Sequence, residues 1–305
     1  MVKETQKETQ FTSWQNPSGS AKSPQPQAFI LDLDGVVYRG NQVIPGAPAF
    51  FERAAAHGCC WIFVSNNSTR TPEAFAEKLT RMGIPTRAEQ VVTSGQVTAE
   101  FVRDELRREL EQPPRLFVIG EEGLRTLLLA AGAELVETPE SWQELPPPVD
   151  AVVVGLDTAF TFAKLRAACH WIRQGARFIG TNPDRTFPYP SGIGPGAGTI
   201  LAAVQACTDV EPLVMGKPSP PILRAALRRL GVAGPAAAAE VCLVGDRLDT
   251  DIAGAHSVGL SSCLVLTGVT SAAQVADPGQ LPAAWRPSRV VESLAVLADQ
   301  LWGNE

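Results

Sequence analysis

The chain has no uncharged apolar run of the roughly 18 residues that a membrane-spanning helix needs, so no membrane role is expected. It has no cluster of lysine and arginine, and its formal net charge is −6, so a nucleic acid is not an expected partner. Its six cysteines, Cys59, Cys60, Cys169, Cys207, Cys242 and Cys263, form no CxxC pair. Most sit in apolar runs, which fits the reduced core thiols of a cytoplasmic protein rather than a disulfide framework. Histidine is scarce. His57, His170 and His256 fall within or at the ends of helical patterns and are read as structural or exposed. The tryptophans are dispersed and offer no stacking platform. The glycine-rich stretch 191–199 lacks the GK[ST] ending of a phosphate loop and reads as a flexible return between domains. No repeat of fixed period is present. Residues 1–27 carry no apolar signal core and too little apolar surface to fold, and are expected to form a flexible tail.

The sequence does contain 305 residues, 45% of them hydrophobic, enough for about two domains at ~150 residues each. It also contains one stretch around which the rest is organised, Phe29-Ile30-Leu31-Asp32-Leu33-Asp34-Gly35. The apolar run reads as a strand buried on both faces. Side chains two apart share a side of a strand, so Asp32 and Asp34 can converge just past its carboxyl end, where open α/β sheets bind ligands. Gly35 lets the chain turn.

Alternation follows. Helices are expected over 45–57 and 72–82, and strands over 61–64 and 91–94, the first of these running into Ser65-Asn66-Asn67-Ser68. A charged amphipathic helix is expected over 97–110. After the hinge Gln112-Pro113-Pro114 the pattern restarts, with strands at 116–119, 151–154 and 177–179 and helices at 123–131, 162–174 and 199–207. A third block has a short apolar run before Gly216-Lys217-Pro218, a helix at 222–230, and the strand 241–244 ending in Gly245-Asp246-Arg247-Leu248-Asp249-Thr250-Asp251. A strand at 263–266 and a helix at 293–302 close the chain. Such βα alternation implies parallel sheets. The reading is a doubly wound α/β core, 28–109 and 213–305, with a second α/β domain, 110–212, inserted between its halves.

Several strands thus end in polar sets, and together these sets supply one reaction centre. Asp32 and Asp246 offer hard oxygens that suit Mg²⁺. A carboxylate can attack phosphorus and form an aspartyl phosphate. Lys217 can hold that carboxylate ionised and neutralise phosphoryl oxygens. Ser65 and backbone N–H groups near it can bind the others. Asp34 can protonate a leaving alkoxide and later deprotonate water. Asn66 and Asn67 are read either as turn formers or as substrate contacts.

The segments DLDGV, VSNNS, GKPSP and GDRLDTDI, in this order, resemble the four motifs of the haloacid dehalogenase-like phosphatases. The insert resembles their large α/β cap, as in the p-nitrophenyl, phosphoglycolate and pyridoxal phosphatases. The resemblance implies Asp32 as nucleophile and Asp34 as general acid/base. It implies that Ser65 and Lys217 hold the phosphoryl group, and Asn66 beside Ser65 is a further candidate for phosphate binding. Asp246 would bind Mg²⁺ with Asp32 and the backbone carbonyl of Asp34, and Asp251 would anchor Lys217 or the metal's waters. The expected partner is a small phosphorylated metabolite, and relatives with this cap pair through it as homodimers. Specificity is expected from the cap loop Thr181–Phe187, with Asn182, Asp184, Arg185 and Phe187, and from Leu156. Phe187 and Leu156 stand where pyridoxal phosphatases carry a histidine and a tyrosine. The TNPD segment is closer to phosphoglycolate phosphatases, which makes Arg185 the candidate partner for an anionic tail. Rival readings are a phosphomutase, a non-catalytic phosphate-binding regulator, and a dehalogenase, the last disfavoured by Asp34 and Asp246.

Overall fold

The computed structural model describes residues 25–303 apart from 111, 190 and 191. Residues 1–24 of the expected tail lie outside the described residues. Residues 25–27 belong to the core instead. Gln25 Nε2 donates to Leu301 O at 2.7 Å, and Gln27 bonds Glu240 O and Cys60 N–H across the sheet.

The chain opens with strands β1 (Ala28–Leu31), β2 (Cys60–Ser65) and β3 (Val91–Thr93). Five follow in the middle: β4 (Arg115–Ile119), β5 (Glu134–Val136), β6 (Ala151–Val154), β7 (Arg177–Gly180) and β8 (Leu213–Val214). Then come β9 (Val241–Gly245), β10 (Ser261–Val265) and β11 (Arg289–Val291). They form two sheets, ordered β11-β10-β9-β1-β2-β3 and β8-β7-β6-β4-β5. Every pairing within them is parallel. The architecture is the doubly wound core with an inserted α/β cap that the sequence implies. Leu213–Val214 pair with the cap sheet, so that sheet ends after Val214 rather than before Leu213. From β1 the core winds one way through β2 and β3, and from β9 it winds the other way. The β1/β9 junction is therefore the switch point at which a ligand crevice opens.

Alternation along β1 shows why the core strands are apolar throughout. Phe29 and Leu31 join Phe50, Phe51, Phe63 and Leu297 on one face. Ala28 and Ile30 join Val64, Ile222, Leu223 and Leu243 on the other. Each fully buried Phe or Leu contributes about 1.5–3 kcal/mol. The second cluster runs on through Val97 and Val102 to Leu116, Val118 and Val153 of the cap sheet. Core and cap are thus joined by continuous apolar packing. The cap sheet's other face packs Phe117, Val152 and Phe178 against helices Phe162–Arg173 and Ala197–Thr208.

Helix starts follow their caps. Thr71, Thr93, Thr161 and Ser293 each accept a first-turn N–H, and Pro72 stands in the first turn. The helix expected over 97–110 is regular only as Ser94–Phe101 and continues as a wide π-type turn, Val102–Leu106. Two antiparallel hairpins were not expected: Tyr38–Arg39 with Gln42–Val43, and Thr186–Tyr189 with Gly192–Pro195. The second corrects the reading of 191–199 as a flexible return. Gly192–Pro195 is a paired strand, and Ala197 begins a helix.

Candidate active site

Asp32 follows β1 directly, its N–H bonded to Val244 O at 2.9 Å. The strand ends at Leu31, so Asp34 reaches the same side by a turn, not by strand alternation. In that turn Leu33 O takes the N–H groups of Val37 and Tyr38 at 2.9 and 3.2 Å. Gly35 is required there twice over. Its φ is 85°, and a Cβ on it would lie 2.5 Å from Asp246 Oδ2.

Lys217 is the centre of the site. It is 2% exposed, and its Nζ donates to Asp32 Oδ1 at 2.5 Å, to Asp251 Oδ1 at 2.6 Å and to Val64 O at 3.3 Å. Burial disfavours its charge, but the two carboxylates outweigh that and hold its pKa above the ordinary lysine value. Asp32 is pushed well up, first by burial and then, against the pull of Lys217, by the charges of Asp251 and Asp246. One cation does not neutralise three carboxylates, two of them buried and Asp32 half-buried.

Asp251 sits on a second wide turn, Leu248–Ile252, following β9. π-type turns recur at functional sites. Its Oδ2 accepts the N–H groups of Asp246 and Arg247 at 3.2 and 3.1 Å, so both its oxygens are engaged. Asp246 differs. Its Oδ2 accepts Val269 N–H at 2.6 Å, while its Oδ1 is buried without a partner. Its carboxyl is pushed up to about 7, chiefly by burial and then by Asp251. Gly268 permits this approach, since a Cβ there would lie 1.9 Å from Asp246 Oδ2. Oxygens of Asp32, Asp246 and Asp251 lie within 4.8 Å of one another. An orphaned buried carboxylate oxygen beside an under-neutralised acidic cluster fits a divalent cation. With Asp251 engaged elsewhere, Asp32 and Asp246 are the side chains left to hold it.

These groups open on a cleft of about 370 Å³ whose lining includes every singled-out residue except Arg185. Arg185 is exposed. Its carbonyl accepts Gly196 N–H at 2.9 Å and the Thr199 hydroxyl at 2.7 Å, closing the base of the cap hairpin. Arg185 is not among the residues that line this cleft. The cations that do line the cleft are Lys217, Arg39 and Arg247. Arg247 is held as a fork on Asp249, at 3.2 and 3.0 Å. Leu156 and Phe187 wall the cleft from the cap side.

Ser65, at the end of β2, accepts Asn67 N–H at 3.2 Å and lines the cleft. The side-chain amide of Asn66 bonds Lys217 N and O and Asp184 Oδ1, leaving no side-chain donor for a phosphoryl group. Asp34 lies exposed at the cleft mouth. Desolvation there pushes its carboxyl up, and Lys78, the Gly40 N–H and Arg39 pull it back. Sequence reasoning missed Tyr38 and Lys78. The Lys78 ammonium lies 3.4 Å from the Tyr38 ring centroid and donates to Gly40 O at 2.7 Å. The acidic turn before Tyr38 carried the only hint of it.

Comparison with known proteins agrees with this geometry. Residues 29–134 match the model of haloacid dehalogenase-like hydrolases, and 214–297 a second model described as HAD-hydrolase-like. An acid sugar phosphatase of Staphylococcus aureus is 38% identical over 260 residues, covering 85% of this chain and 93% of that protein. The structure of a p-nitrophenyl phosphatase from Archaeoglobus fulgidus superposes with a TM-score of 0.77 at 34% identity, covering 91% of this chain and all of the other. A glycerol phosphate phosphatase from Mycobacterium tuberculosis, solved in complex with magnesium, superposes with a TM-score of 0.76 at 32% identity, covering 90% of this chain and 76% of that one. The same enzyme is also solved in complex with calcium. No helix among the described residues is long and apolar enough to cross a membrane.

Proposed function

We propose how this chain works from what it is: it belongs to the haloacid dehalogenase-like hydrolases and is a phosphoric monoester hydrolase acting on small phosphoesters. In the proposed mechanism an oxygen of Asp32 attacks phosphorus, and the bond from phosphorus to the ester oxygen breaks. The departing alkoxide takes a proton from Asp34. Asp34, now ionised, accepts a proton from water, whose oxygen attacks the aspartyl phosphate. Inorganic phosphate leaves and the Asp32 carboxylate returns. Lys217 holds Asp32 ionised and neutralises phosphoryl charge. The Ser65 hydroxyl donates to a phosphoryl oxygen. Asp32 and Asp246, with the Asp34 carbonyl, would hold Mg²⁺, whose charge supplies further stabilisation of the phosphoryl oxygens.

The observation that carries this reading is Lys217 Nζ lying 2.5 Å from Asp32 and 2.6 Å from Asp251. A cation so placed favours the ionised form of Asp32, against burial and the neighbouring carboxylates, beside a cleft that can take a small phosphoester. The cap walls presented by Leu156 and Phe187 suit a compact leaving group, of the p-nitrophenyl, glycerol or sugar kind that the relatives' names carry. Asp32→Asn is the test. An amide of nearly the same shape is a poor nucleophile, so phosphate release from p-nitrophenyl phosphate should vanish while the fold stays intact. A variant retaining more than a few per cent of wild-type turnover would sink the covalent route. Net transfer of phosphate to a second substrate hydroxyl in place of water would instead favour the mutase reading.

A further inference from the structure

The side chain of Asn66 is 6% exposed, and both its amide protons are committed. Oδ1 accepts the N–H of Lys217 at 2.7 Å, and Nδ2 donates to Lys217 O at 3.0 Å. One amide thus grips the backbone of a single residue on both sides. The other Nδ2 proton crosses to the cap and is accepted by Asp184 Oδ1 at 3.0 Å. The backbone of Asn66 is held as firmly. Its carbonyl accepts the Ser94 hydroxyl at 2.6 Å from the core and Asn182 Nδ2 at 2.7 Å from the cap. Asn182 Oδ1 in turn accepts Asp184 N–H at 3.1 Å. The seam is closed to slippage: a Cβ on Gly216 would lie 2.6 Å from both Asn66 Oδ1 and Thr181 O.

We propose that Asn66 is a positioning residue through which the docked cap, by way of Asp184, sets where the Lys217 ammonium stands beside Asp32. The inference rests on the reading of Asp32 and Lys217 as reacting groups given above. With the cap docked, three hydrogen bonds fix the amide plane of Asn66, and that plane fixes the Lys217 backbone. With Asp184 withdrawn, one donor loses its partner and the grip on Lys217 loosens. A misplacement of about 1 Å costs on the order of a hundredfold in rate. Turnover is thereby coupled to the docked cap.

The test is a double-mutant cycle on p-nitrophenyl phosphate. The nitrophenyl group carries no hydrogen-bond donor, so the Asp184 carboxylate has nothing on it to read directly. Asp184→Ala is expected to lower kcat on the order of tenfold or more, with KM moved much less. Asn66→Ala should lose at least as much, and Asn66→Ala with Asp184→Ala no more than Asn66→Ala alone. Asp184→Asn, which keeps an acceptor oxygen, should recover most of what Asp184→Ala loses. Additive losses, or an Asp184→Ala enzyme within about twofold of wild type, overturn the inference. Thermal melting checks each fold. If Asn66→Ala does not fold, the contrast between Asp184→Ala and Asp184→Asn decides alone. Wild-type turnover with additive losses removes the clamp and leaves the hydrolase reading standing. A wild-type enzyme releasing no phosphate removes both.

Discussion

Replacing Asp251 by alanine removes a side chain that is 1% exposed and fully engaged. Its Oδ1 lies 2.6 Å from Lys217 Nζ, and its Oδ2 takes the N–H groups of Asp246 and Arg247 at 3.2 and 3.1 Å. Stripping one partner from a buried ion pair costs about 3–5 kcal/mol. Two stranded backbone donors add roughly 1–3 kcal/mol each. The sum is not additive, because Lys217 keeps Asp32 at 2.5 Å, so we expect about 3 kcal/mol. At ~2–4 °C per kcal/mol for a fold of this order of size, Tm should fall by roughly 6–12 °C. Activity should fall further than stability suggests, on the order of a hundredfold, since Val64 O at 3.3 Å is then the one acceptor left opposite Asp32 to fix Lys217. Asp251→Asn sharpens the test. One amide oxygen can serve Lys217 or the two N–H groups but not both, and its NH₂ faces donors on the other side. The asparagine should therefore be nearly as damaging as alanine. The assay is kcat/KM for p-nitrophenyl phosphate beside thermal unfolding followed by circular dichroism. An Asp251→Asn enzyme with wild-type activity and a Tm within about 2 °C of wild type would refute the argument that Asp251 holds Lys217.

Other outcomes follow from the same geometry. Asp34→Asn should slow alkyl phosphates far more than p-nitrophenyl phosphate, because protonation matters most for a basic leaving oxygen; equal losses on both would remove Asp34 from the acid role. Chelation by EDTA should abolish phosphate release, Mg²⁺ should restore it, and Ca²⁺ should restore it poorly, since calcium takes more ligands at longer distances; full activity in calcium alone contradicts the Mg²⁺ assignment. Alkylation of the native protein at pH 8 should mark the exposed Cys60 and Cys207. Burial pushes the thiols of Cys169 and Cys242 up to about 12, and that of Cys263 well above its ordinary value, so these stay protonated and unreactive below that range. Peptide mass spectrometry showing Cys242 or Cys263 labelled first would contradict their placement in the sheet.

What was legible in the sequence is what local pattern controls. The core strands are apolar on both faces because both faces pack, as the two clusters flanking Phe29 and Ile30 show. Their polar ends were visible for the same reason, since polarity that interrupts such a run has to sit where the sheet stops. Two of the four edge strands escaped notice. β5 and β11 pair on one side only, and their burial runs eiB and iBB. A strand covered on one flank leaves a shorter, more mixed signature. The hairpin Thr186–Tyr189 with Gly192–Pro195 escaped because its prolines and glycines read as turn formers.

The site itself was legible as a set of residue types but not as a network, and Arg185 and Asn66 show why. Arg185 was selected for its charge and its place in a polar loop. Its carbonyl also closes the cap hairpin, bonded to Gly196 and Thr199, and a backbone bond leaves no trace in residue identity. Asn66 was selected for its place beside Ser65 at a strand end. Its partners stand 118 and 151 residues away along the chain, and only folding reveals that they have used both its protons. Arg247 and Tyr38 also line the cleft, though neither was singled out from the sequence. A residue type limits what chemistry a position can perform. Whether its hydrogen-bonding capacity is free to perform it depends on neighbours that arrive from the other end of the chain. At this site the carboxylates and the lysine were therefore predictable, because their charges have few other uses in a core. The amides were not, because a core readily consumes them.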